Sequence, residues 1–460
     1  MLKRKIDAYL GNWLKIRKTA LLVDGARQVG KTYSITQFGQ KNFKNFININ
    51  FAERTDLIDL FVQLRNSQQV LINLSAIAGE SLVENETLIF FDEIQLLYQR
   101  REYLKQHNQL DLNTQDLISS MKTLVIDGKY RFILSGSLLG ILVNDITLIP
   151  TGYLDEYRMF PLDFEEFLWS ASVGNDAIEY LHQCFINKEK VDEPINKLFL
   201  EYFRQYILIG GMPEAVNTYR ETQNLFVLQT IQEQIRYKYT YDITTYLNNI
   251  EKKLYLREIY EAIPSELNSK NKKFMSSHVV DSSYLKRRLV NDDFIWLTSA
   301  GVAIADYNVT EPILPLNLSK EHKTLKLFMN DVGLLTSALC STGVREKLLK
   351  NEAEINYGAP YENAIAQELY AHGYHKNLYY YNSKKHGEVD FIIEYQNIVL
   401  PIEVKSGKPN SLSYYNHSAL NNIIQLYDLE QAFVLGECNV LRENDFIYQL
   451  PVYMIMFILK

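Results

Sequence analysis

The stretch TALLVDGARQVGKT (residues 19–32) decides the fold of the first part of this chain. Its first half is a short apolar run, which predicts a buried strand of a parallel sheet. From Gly25 to Thr32 the sequence fits the pattern G-x-x-x-x-G-K-[ST] at every fixed position. The glycines suit a loop whose backbone N–H groups wrap a phosphate, because a side chain there would collide with the ligand. The stretch therefore predicts a strand, a phosphate-binding loop and a helix, in that order.

The side chains of this loop match the chemistry of a bound nucleotide. Lys31 can reach the β- and γ-phosphates, and the hydroxyl of Thr32 can ligate Mg²⁺. The helix that begins at Lys31 points the positive end of its dipole at the same anion. A glycine-rich strand-to-helix turn without a ligand is the disfavoured alternative, because a complete match is rare by chance. The predicted nucleotide-binding residues of the loop are Gly25, Ala26, Arg27, Gln28, Val29, Gly30, Lys31 and Thr32.

An acidic pair ends a second apolar run, ETLIFFDEIQ (residues 86–95). The carboxyl ends of parallel strands line the ligand crevice of such a sheet, so Asp92 is expected near Thr32. There Asp92 would hold Mg²⁺ through water and complete the nucleotide site, and Glu93 would polarise the attacking water. Two solvated acids at a strand end would be the simpler interpretation, but the phosphate loop favours the catalytic one.

Three further runs predict additional strands of the same sheet. YRFILSGSLLG (residues 130–140) ends its apolar part at Ser135, NFININ covers residues 45–50, and DEYRMF covers residues 155–160. Ser135 is a candidate catalytic residue that senses the γ-phosphate or orients the water, and a plain strand-to-helix turn is an equal alternative. Strands that alternate with helices predict a doubly wound α/β domain.

Composition limits the class of protein. A chain of 460 residues is too long for one hydrophobic core. With 47% apolar and 22% charged residues it resembles an ordinary globular protein, and its net charge of −7 gives no overall basic character. A local basic surface stays open, because net charge averages over domains.

The sequence also predicts a cytoplasmic protein with no membrane partner. The three cysteines are widely spaced and odd in number, which suits a reducing compartment. The first residues, MLKRKIDAYLGNW, lack the apolar segment of a signal peptide. The late apolar run PVYMIMFIL (residues 451–459) is too short to span a bilayer.

Several motifs together resemble the AAA-type (AAA+) ATPases of bacteria and archaea that carry a C-terminal domain of unknown function. The resemblance covers nearly the whole chain. It implies ATP and Mg²⁺ as cofactors, an AAA+ core, helical and winged-helix-like segments, and a nuclease-like C-terminal fold. The motifs are GARQVGKT (25–32), LIFFDEIQ (88–95), ILSGS (133–137), FPLDFEEFL (160–168), YILIGGMPEAV (206–216), FMNDVGLL (328–335) and GAPYENAIAQEL (358–369).

One position departs from the family pattern. Where the family usually shows a Gly-Arg pair after its sensor strand, this chain has Gly152-Tyr153. An arginine role therefore cannot be carried over to this place, and Arg158 a few residues later is a weak substitute. ATP binding is for this reason a firmer expectation than efficient hydrolysis. AAA+ proteins often take an arginine from a neighbouring subunit, which suggests a homo-oligomer.

The resemblance divides the chain into four segments: a P-loop AAA+ core (1–172), a helical lid-like segment (173–250), a winged-helix-like segment (251–345) and a nuclease-like domain (346–460). In the third segment, a basic helix is followed by a strand-like run, DFIWLT (293–298). Its basic residues are candidates for contacts with DNA or RNA phosphates, although a solvated charged surface is favoured. These residues are Lys270, Lys272, Lys273, Lys286, Arg287 and Arg288.

The C-terminal segment reads as a helix from residue 358, three strands, a helix (418–427) and a strand (431–436). The strands are NLYYY (377–381), EVDFIIE (388–394) and IVLPIEVKSGK (398–408). This order predicts a smaller α/β domain. Gly210-Gly211, earlier in the chain, are interpreted as residues of tight backbone packing rather than of chemistry.

Acidic residues on these strands form a candidate hydrolytic site. Glu403 and Lys405 share a strand face because they are two residues apart, and a hairpin would bring Asp390 beside them. Two carboxylates can hold Mg²⁺ while a lysine orients the water, and Glu362 could complete the metal site. The arrangement resembles the PD-(D/E)xK nucleases (restriction-endonuclease-like fold), with Gly387-Glu388-Val389-Asp390 in place of Pro-Asp. A structural ion pair is an equal alternative.

Two function classes follow from these observations. The first is an ATPase that couples ATP hydrolysis to a C-terminal nuclease acting on nucleic acid. The second is an ATP-dependent regulatory or signalling switch, whose C-terminal domain only binds DNA or protein. Mg²⁺-dependent nicking of nucleic acid would separate the two.

Overall fold

A computed structural model of the protein describes residues 2–77, 82–111, 113–136, 152–245, 250–269, 290–350, 358–406 and 416–459. The chain forms two compact units. The first is Lys3–Phe160 with Ser299–Gly301, and the second is Pro161–Thr298 with Val302–Lys460. Among the described helices, none combines the length and the apolar character that crossing a bilayer requires.

The first unit alternates helices with strands. In chain order it contains α1 (Lys5–Ile16), β1 (Ala20–Gly25), α2 (Lys31–Asn42), β2 (Asn45–Asn50), a 3₁₀ turn (Thr55–Leu57), α3 (Ile58–Val62), α4 (Gln68–Ile77), β3 (Thr87–Asp92), α5 (Gln95–Gln106), α6 (Leu117–Asp127), β4 (Arg131–Ser135) and β5 (Leu154–Met159).

The parallel sheet predicted for this unit is confirmed. The strand order is β2-β3-β4-β1-β5, and every neighbouring pair is parallel. All six residues of β3 are buried, as a strand covered on both faces requires. β1 lies between β4 and β5. Because all the strands are parallel, the loop that follows Gly25 at the end of β1 lies at the carboxyl edge of the sheet. The predicted third run continues past Gly136 into residues that lie outside the described part of the chain.

The second unit begins with helices and ends with a sheet. In chain order it contains α7 (Phe164–Ser170), α8 (Asn175–Asn187), α9 (Glu193–Ile209), α10 (Pro213–Thr222), α11 (Leu225–Thr245), α12 (Ile250–Leu267), α13 (Val290–Ser299), β6 (Ala303–Val309), a 3₁₀ turn (Leu316–Ser319), β7 (Lys320–Met329), α14 (Val332–Leu339), α15 (Thr342–Leu349), α16 (Gly358–Leu369), a π turn (Tyr370–Tyr374), β8 (Tyr379–Ser383), β9 (Gly387–Tyr395), β10 (Ile398–Lys405), α17 (Ser418–Tyr427), β11 (Ala432–Gly436), β12 (Leu441–Arg442), β13 (Ile447–Pro451) and a 3₁₀ turn (Val452–Phe457).

The C-terminal sheet is mixed and extends further back along the sequence than the strand pattern predicts. Its eight strands have the order β12-β13-β11-β10-β9-β8-β6-β7. The predicted helix and strand order after residue 358 is confirmed. However, β6 and β7 belong to the segment interpreted as winged-helix-like, and β6 pairs in parallel with β8. The predicted boundary between residues 345 and 346 therefore falls inside one compact unit.

The strand expected at DFIWLT (293–298) is wrong, because these residues belong to helix α13. Inside α13, Phe294, Trp296 and Leu297 are buried, and the spacing of three between Phe294 and Leu297 is helical. A short apolar run cannot distinguish a strand from a buried helix turn. The six basic residues predicted to meet nucleic acid, at positions 270–288, lie outside the described residues.

Gly210 and Gly211 serve the tight packing that the sequence indicates. A Cβ atom on Gly210 would lie 2.2 Å from Asp331 Oδ1, and one on Gly211 would lie 2.0 Å from the Leu162 carbonyl oxygen. The Leu162 N–H also donates a 2.7 Å hydrogen bond to the Gly211 carbonyl. The backbone at Gly211 is thus fixed against another backbone, where no side chain can move aside.

We expect Gly211→Ala to lower the free energy of unfolding by about 3 kcal/mol, because overpacking against backbone cannot be relieved by a rotamer change. Chemical denaturation of the full chain would measure the loss. Gly343→Ala is the matched control in the same unit, because nothing lies within 4 Å of a Cβ built there. That change in α15 should alter stability by less than about 1 kcal/mol. Equal stability of both variants would contradict the packing role of Gly211.

Candidate functional site

The backbone of the phosphate loop explains its glycines. Gly30 is the N-cap of α2 and has φ 98° and ψ 16°, a left-handed conformation that favours glycine. Gly25, at the end of β1, has φ 147°, and a Cβ there would lie 2.2 Å from the Met159 carbonyl oxygen. Both fixed glycines of the pattern are therefore required by local geometry before any ligand is considered.

The other loop residues lie around this turn in differing environments. Ala26 and Val29 are buried, whereas Arg27 and Gln28 are partly exposed. The Val29 carbonyl accepts a 2.8 Å hydrogen bond from the guanidinium of Arg4, which the sequence did not single out. Arg4 thereby fixes the last turn of the loop before α2.

Lys31 is folded into the loop. Its buried Nζ donates to the carbonyl oxygens of Gly25 at 3.0 Å and Ala26 at 2.8 Å. Burial lowers the pKa of Lys31, while the nearby carboxylates of Glu93 and Asp92 act in the opposite direction. An ammonium group held at the centre of a loop of backbone N–H groups is suited to meet a phosphate.

Asp92 is the centre of the hydrogen-bond network next to this lysine. Its Oδ2 accepts a 2.7 Å hydrogen bond from the Thr32 hydroxyl, and its Oδ1 accepts one from the Ser135 hydroxyl. Burial raises the pKa of Asp92, and these two hydrogen bonds oppose that rise. The amide of Asn50, at the end of β2, lies 3.4 Å from the same Oδ2. The structure thus brings together Thr32, Asp92 and Ser135 from separate elements.

Glu93 follows Asp92 in a conformation that is unusual for its residue type. Its φ is 57°, which lies in the left-handed region where residues with a Cβ are uncommon. Its N–H donates a 3.0 Å hydrogen bond to Asp92 Oδ1, and its carboxylate accepts one from the side chain of Gln95. Gln95 is fully buried, and sequence reasoning missed it. Strained backbone of this kind is often found at functional sites.

Arg158 lies near the loop but is held in an ion pair. Its guanidinium contacts Asp24 Oδ2 at 2.8 Å, and the two residues are in register on β5 and β1. Gly152 and Tyr153 form the turn before β5, where the Tyr153 carbonyl accepts from Ala20 N–H at 2.9 Å. Arg158 therefore neutralises an acid near the carboxyl end of β1.

The C-terminal candidates meet on one face of the second sheet. Asp390 on β9 and Glu403 on β10 lie one position from the antiparallel pair Phe391–Ile402. Asp390 Oδ2 accepts a 2.8 Å hydrogen bond from Val404 N–H. Lys405 Nζ lies 3.1 Å from Glu403 Oε1, which is the Glu403–Lys405 contact of the alternative ion-pair interpretation.

Glu403 is a partly buried acid that lies close to other acids. Burial raises the pKa of Glu403 to about 8, and the charge of Asp390 adds to the rise, while Lys405 opposes it. Glu362, buried in α16, acts on Glu403 in the same direction as Asp390. Glu403 Oε2 has no hydrogen-bond partner among the described residues. An oxygen of this kind is a suitable ligand for a cation.

Two more charged residues on this face were missed. Lys326 on β7 is fully buried, and its Nζ lies 2.7 Å from Glu388 Oε1 on β9. Asp306, opposite Lys326 on β6, is also fully buried. Burial raises the pKa of Asp306 well above its usual range, and Lys326 only partly offsets this. The sequence does contain a signal for both residues, because each is a charged residue inside an apolar run. Asp306 lies in AIADYNV (303–309), and Lys326 lies in LKLFM (325–329).

The described residues contain no group of three or more His, Cys, Asp or Glu side chains arranged to hold a metal ion. Glu362, Asp390 and Glu403 share an electrostatic environment without forming a closed ligand set. We call the sheet face that carries Asp306, Lys326, Glu388, Asp390, Glu403 and Lys405 the acidic face. On it, Asp390 and Glu403 are neighbouring carboxyl groups with Lys405 beside them. A cation bound there would need further oxygen ligands from water or substrate.

Comparisons with protein-family models cover most of the chain. Residues 17–168 match the AAA domain family. Residues 200–346 and 357–454 match two different domains of unknown function, DUF8612 and DUF4143. A search of curated proteins found no match.

Three archaeal structures are among the solved structures similar to this chain. A Walker-type ATPase of Pyrococcus abyssi is 16% identical, with 74% of this chain and 96% of that chain covered and a TM-score of 0.44. The Orc1 protein of Aeropyrum pernix in complex with DNA is 14% identical, with 75% and 92% covered and a TM-score of 0.26. Cdc6p of Pyrobaculum aerophilum is 14% identical, with 75% and 92% covered and a TM-score of 0.22.

The region that matches the AAA family contains the phosphate loop, Asp92 and Glu93, and it coincides with most of the parallel-sheet unit. The sequence motif, the strand order and the family match agree. Residues 17–168 of this chain form an AAA-type ATPase domain.

Proposed function

We propose that the protein binds ATP with Mg²⁺, hydrolyses it, and couples hydrolysis to a C-terminal site that cleaves nucleic acid. The observation that carries the ATPase part is the convergence of Thr32 and Ser135 on Asp92, directly beside Glu93. This is the set of groups that positions a metal ion and a water next to a γ-phosphate.

The residues at Asp92 fit a magnesium ion. The Thr32 hydroxyl and a carboxylate oxygen of Asp92 face each other at 2.7 Å, and oxygen atoms of these two types are the ligands that Mg²⁺ prefers. When bound, the ion would neutralise charge that develops on the phosphate oxygens. Thr32 and Asp92 would hold it, the latter through water. Ser135 fixes the orientation of the Asp92 carboxylate.

The protein's own groups then perform the remaining steps. Lys31 would exchange its two carbonyl contacts for the β- and γ-phosphates, which stabilises the negative charge there. The Glu93 carboxylate would accept a proton from the water that attacks the γ-phosphorus. Gln95 holds that carboxylate, so release from Gln95 accompanies activation of the water. An arginine from a second copy in a homo-oligomer would supply the group that Arg158, paired with Asp24, does not.

The nuclease part rests on Asp390, Glu403 and Lys405. Glu403 Oε2 is buried without a hydrogen-bond partner among the described residues, and Asp390 lies on the neighbouring strand. These two carboxylates would hold a divalent cation, with Glu362 close enough to add to the negative field. The cation would polarise the scissile phosphate of DNA or RNA. Lys405 would orient the attacking water.

A cytoplasmic location is part of the proposal, because the three free cysteines suit a reducing compartment.

We expect Asp390→Ala to weaken Mn²⁺ binding to the nucleotide-free protein by at least about 10²-fold, because a carboxylate ligand is lost. Isothermal titration of the full chain would measure the affinity. Asp445→Ala is the matched control, since the side chain of Asp445 is 87% exposed and pairs only with Arg442 among the described residues. It should bind Mn²⁺ like the parent. Unchanged affinity in a folded Asp390→Ala variant would remove the metal site from this face.

A second candidate function is a regulatory or signalling switch whose C-terminal domain binds nucleic acid or protein without cleaving it. Two observations favour it. Lys405 already pairs with Glu403, and the described residues hold no closed set of three metal ligands. A nicking assay on purified protein, with and without ATP and with Mg²⁺ or Mn²⁺, separates the candidates. Nicking that is lost in Asp390→Ala supports the nuclease, and ATP turnover without nicking supports the switch.

A further inference from the structure

Lys326, on the edge strand β7 of the second sheet, is fully buried. Burial of an ammonium ion is costly unless oppositely charged groups surround it. Its Nζ lies 2.7 Å from Glu388 Oε1 and 4.6 Å from the centre of the Tyr380 ring. Although burial alone would lower the pKa of Lys326, the neighbouring carboxylates raise it, so the side chain is charged at neutral pH.

The acidic face has more carboxylates than lysines. Lys405 contacts Glu403, whereas Lys326 interacts with four other acids: Glu388, Glu362, Asp390 and Asp306. Five acidic residues, four on the sheet and Glu362 on α16, therefore face two lysines, with Glu403 as the fifth acid. Carboxyl groups that outnumber the lysines beside them are potential ligands for a cation that can reach them.

Asp306 is a second, independent observation that a buried carboxyl group on this face lacks a partner among the described residues. Its side chain is fully buried, and neither carboxylate oxygen has a hydrogen-bond partner among the described residues. It lies opposite Lys326 in the β6–β7 ladder. Buried carboxylate oxygens are normally satisfied by hydrogen bonds or by a cation.

We propose that Lys326 is a tethered counter-ion that takes the place of a divalent cation among Asp306, Glu388 and Asp390, so that removing its charge creates or strengthens a cation site there. The proposal deepens the metal chemistry proposed for Asp390 and Glu403. It assigns the β9–β10 end of the face to the metal and the β6–β7 end to the lysine. With Lys326 in place, the face would take a single divalent ion beside Glu403.

The test is a titration of Mn²⁺ into the nucleotide-free full chain, for the parent, Lys326→Met and Lys326→Arg. Methionine keeps most of the volume and removes the charge, so we expect affinity to rise by about tenfold or more, or a second bound ion to appear. Lys326→Arg keeps the charge and should bind Mn²⁺ like the parent. The melting temperature should also rise more on adding Mn²⁺ to Lys326→Met than to the parent.

Each outcome decides between the hypotheses. A gain in Lys326→Met that disappears when Asp390→Ala is added supports the counter-ion, whether or not the parent binds Mn²⁺. If the parent binds Mn²⁺ through Asp390 and Lys326→Met gains nothing, the metal site stands and the counter-ion proposal fails. If neither protein binds, both fail. If Lys326→Met does not fold, Lys326→Gln is used instead. Glutamine also removes the charge, and its amide can donate a hydrogen bond to Glu388.

Discussion

Glu93→Gln is expected to keep ATP bound while slowing its hydrolysis by roughly 10²- to 10⁴-fold, the range for loss of a general base. Glutamine has the same shape as glutamate and retains an oxygen that can accept from Gln95, but it cannot take a proton from water. Among the described residues, Lys31 bonds to the carbonyls of Gly25 and Ala26 and Thr32 bonds to Asp92, so the change at Glu93 should leave the phosphate loop undisturbed. Phosphate release in steady state and ATP affinity by titration would measure the two effects separately.

The matched control for this prediction is Glu84→Gln. Glu84 precedes the amino end of β3, and its carboxylate pairs with Lys129 at 3.0 Å on the surface. The same chemical change at the far end of the same strand should leave turnover within about twofold of the parent, since exposed ion pairs contribute little. Hydrolysis by Glu93→Gln at the parental rate would show that another group is the base. Absence of turnover in the parent would instead point to the missing family arginine.

The sequence was sufficient for the first unit because a single motif determines its local geometry. The glycines at positions 25 and 30 are required by backbone conformation, and three of the five predicted strands are continuous apolar runs, whereas NFININ and DEYRMF are not. The sequence could not predict the side chains that reach the site from other elements or through a turn of the backbone. Asn50 and Gln95 are ordinary polar residues in the sequence, and only the register of β2 and β3 or the turn after Asp92 gives them a role.

The second unit shows where a local pattern stops being informative. The strands after residue 377 were recognisable, but their partners were not, because hydrophobic alternation says nothing about which edge a strand joins. β6 comes about 70 residues before β8 and pairs with it in parallel. That pairing brings Asp306 and Lys326 to the face that Asp390 and Glu403 already occupy. Glu403, Lys405 and Asp390, which the sequence analysis singled out, are only part of the charged residues on this face.

Lys31→Met is expected to reduce ATP affinity by roughly 10²-fold, which corresponds to the 2–5 kcal/mol range for losing one partner of a buried charge pair. In the structure the ammonium group lies against the carbonyls of Gly25 and Ala26, at the position from which it can turn to the phosphates. Methionine fills the same volume but leaves a triphosphate without its central positive charge. Isothermal titration with ATP and Mg²⁺ would measure the change.

The folded state should tolerate this substitution, which keeps the measurement interpretable. Burial lowers the pKa of Lys31, so the charged lysine is held at a cost in the protein without ligand. Methionine removes this cost and fills a similar volume, and thermal denaturation of the variant checks that losing the hydrogen bonds to the Gly25 and Ala26 carbonyls leaves the domain folded. Lys41→Met, at the exposed end of α2, is the matched control and should bind ATP like the parent. If a folded Lys31→Met variant also retains parental affinity, the loop does not bind the phosphates through this lysine, and the nucleotide must be sought elsewhere.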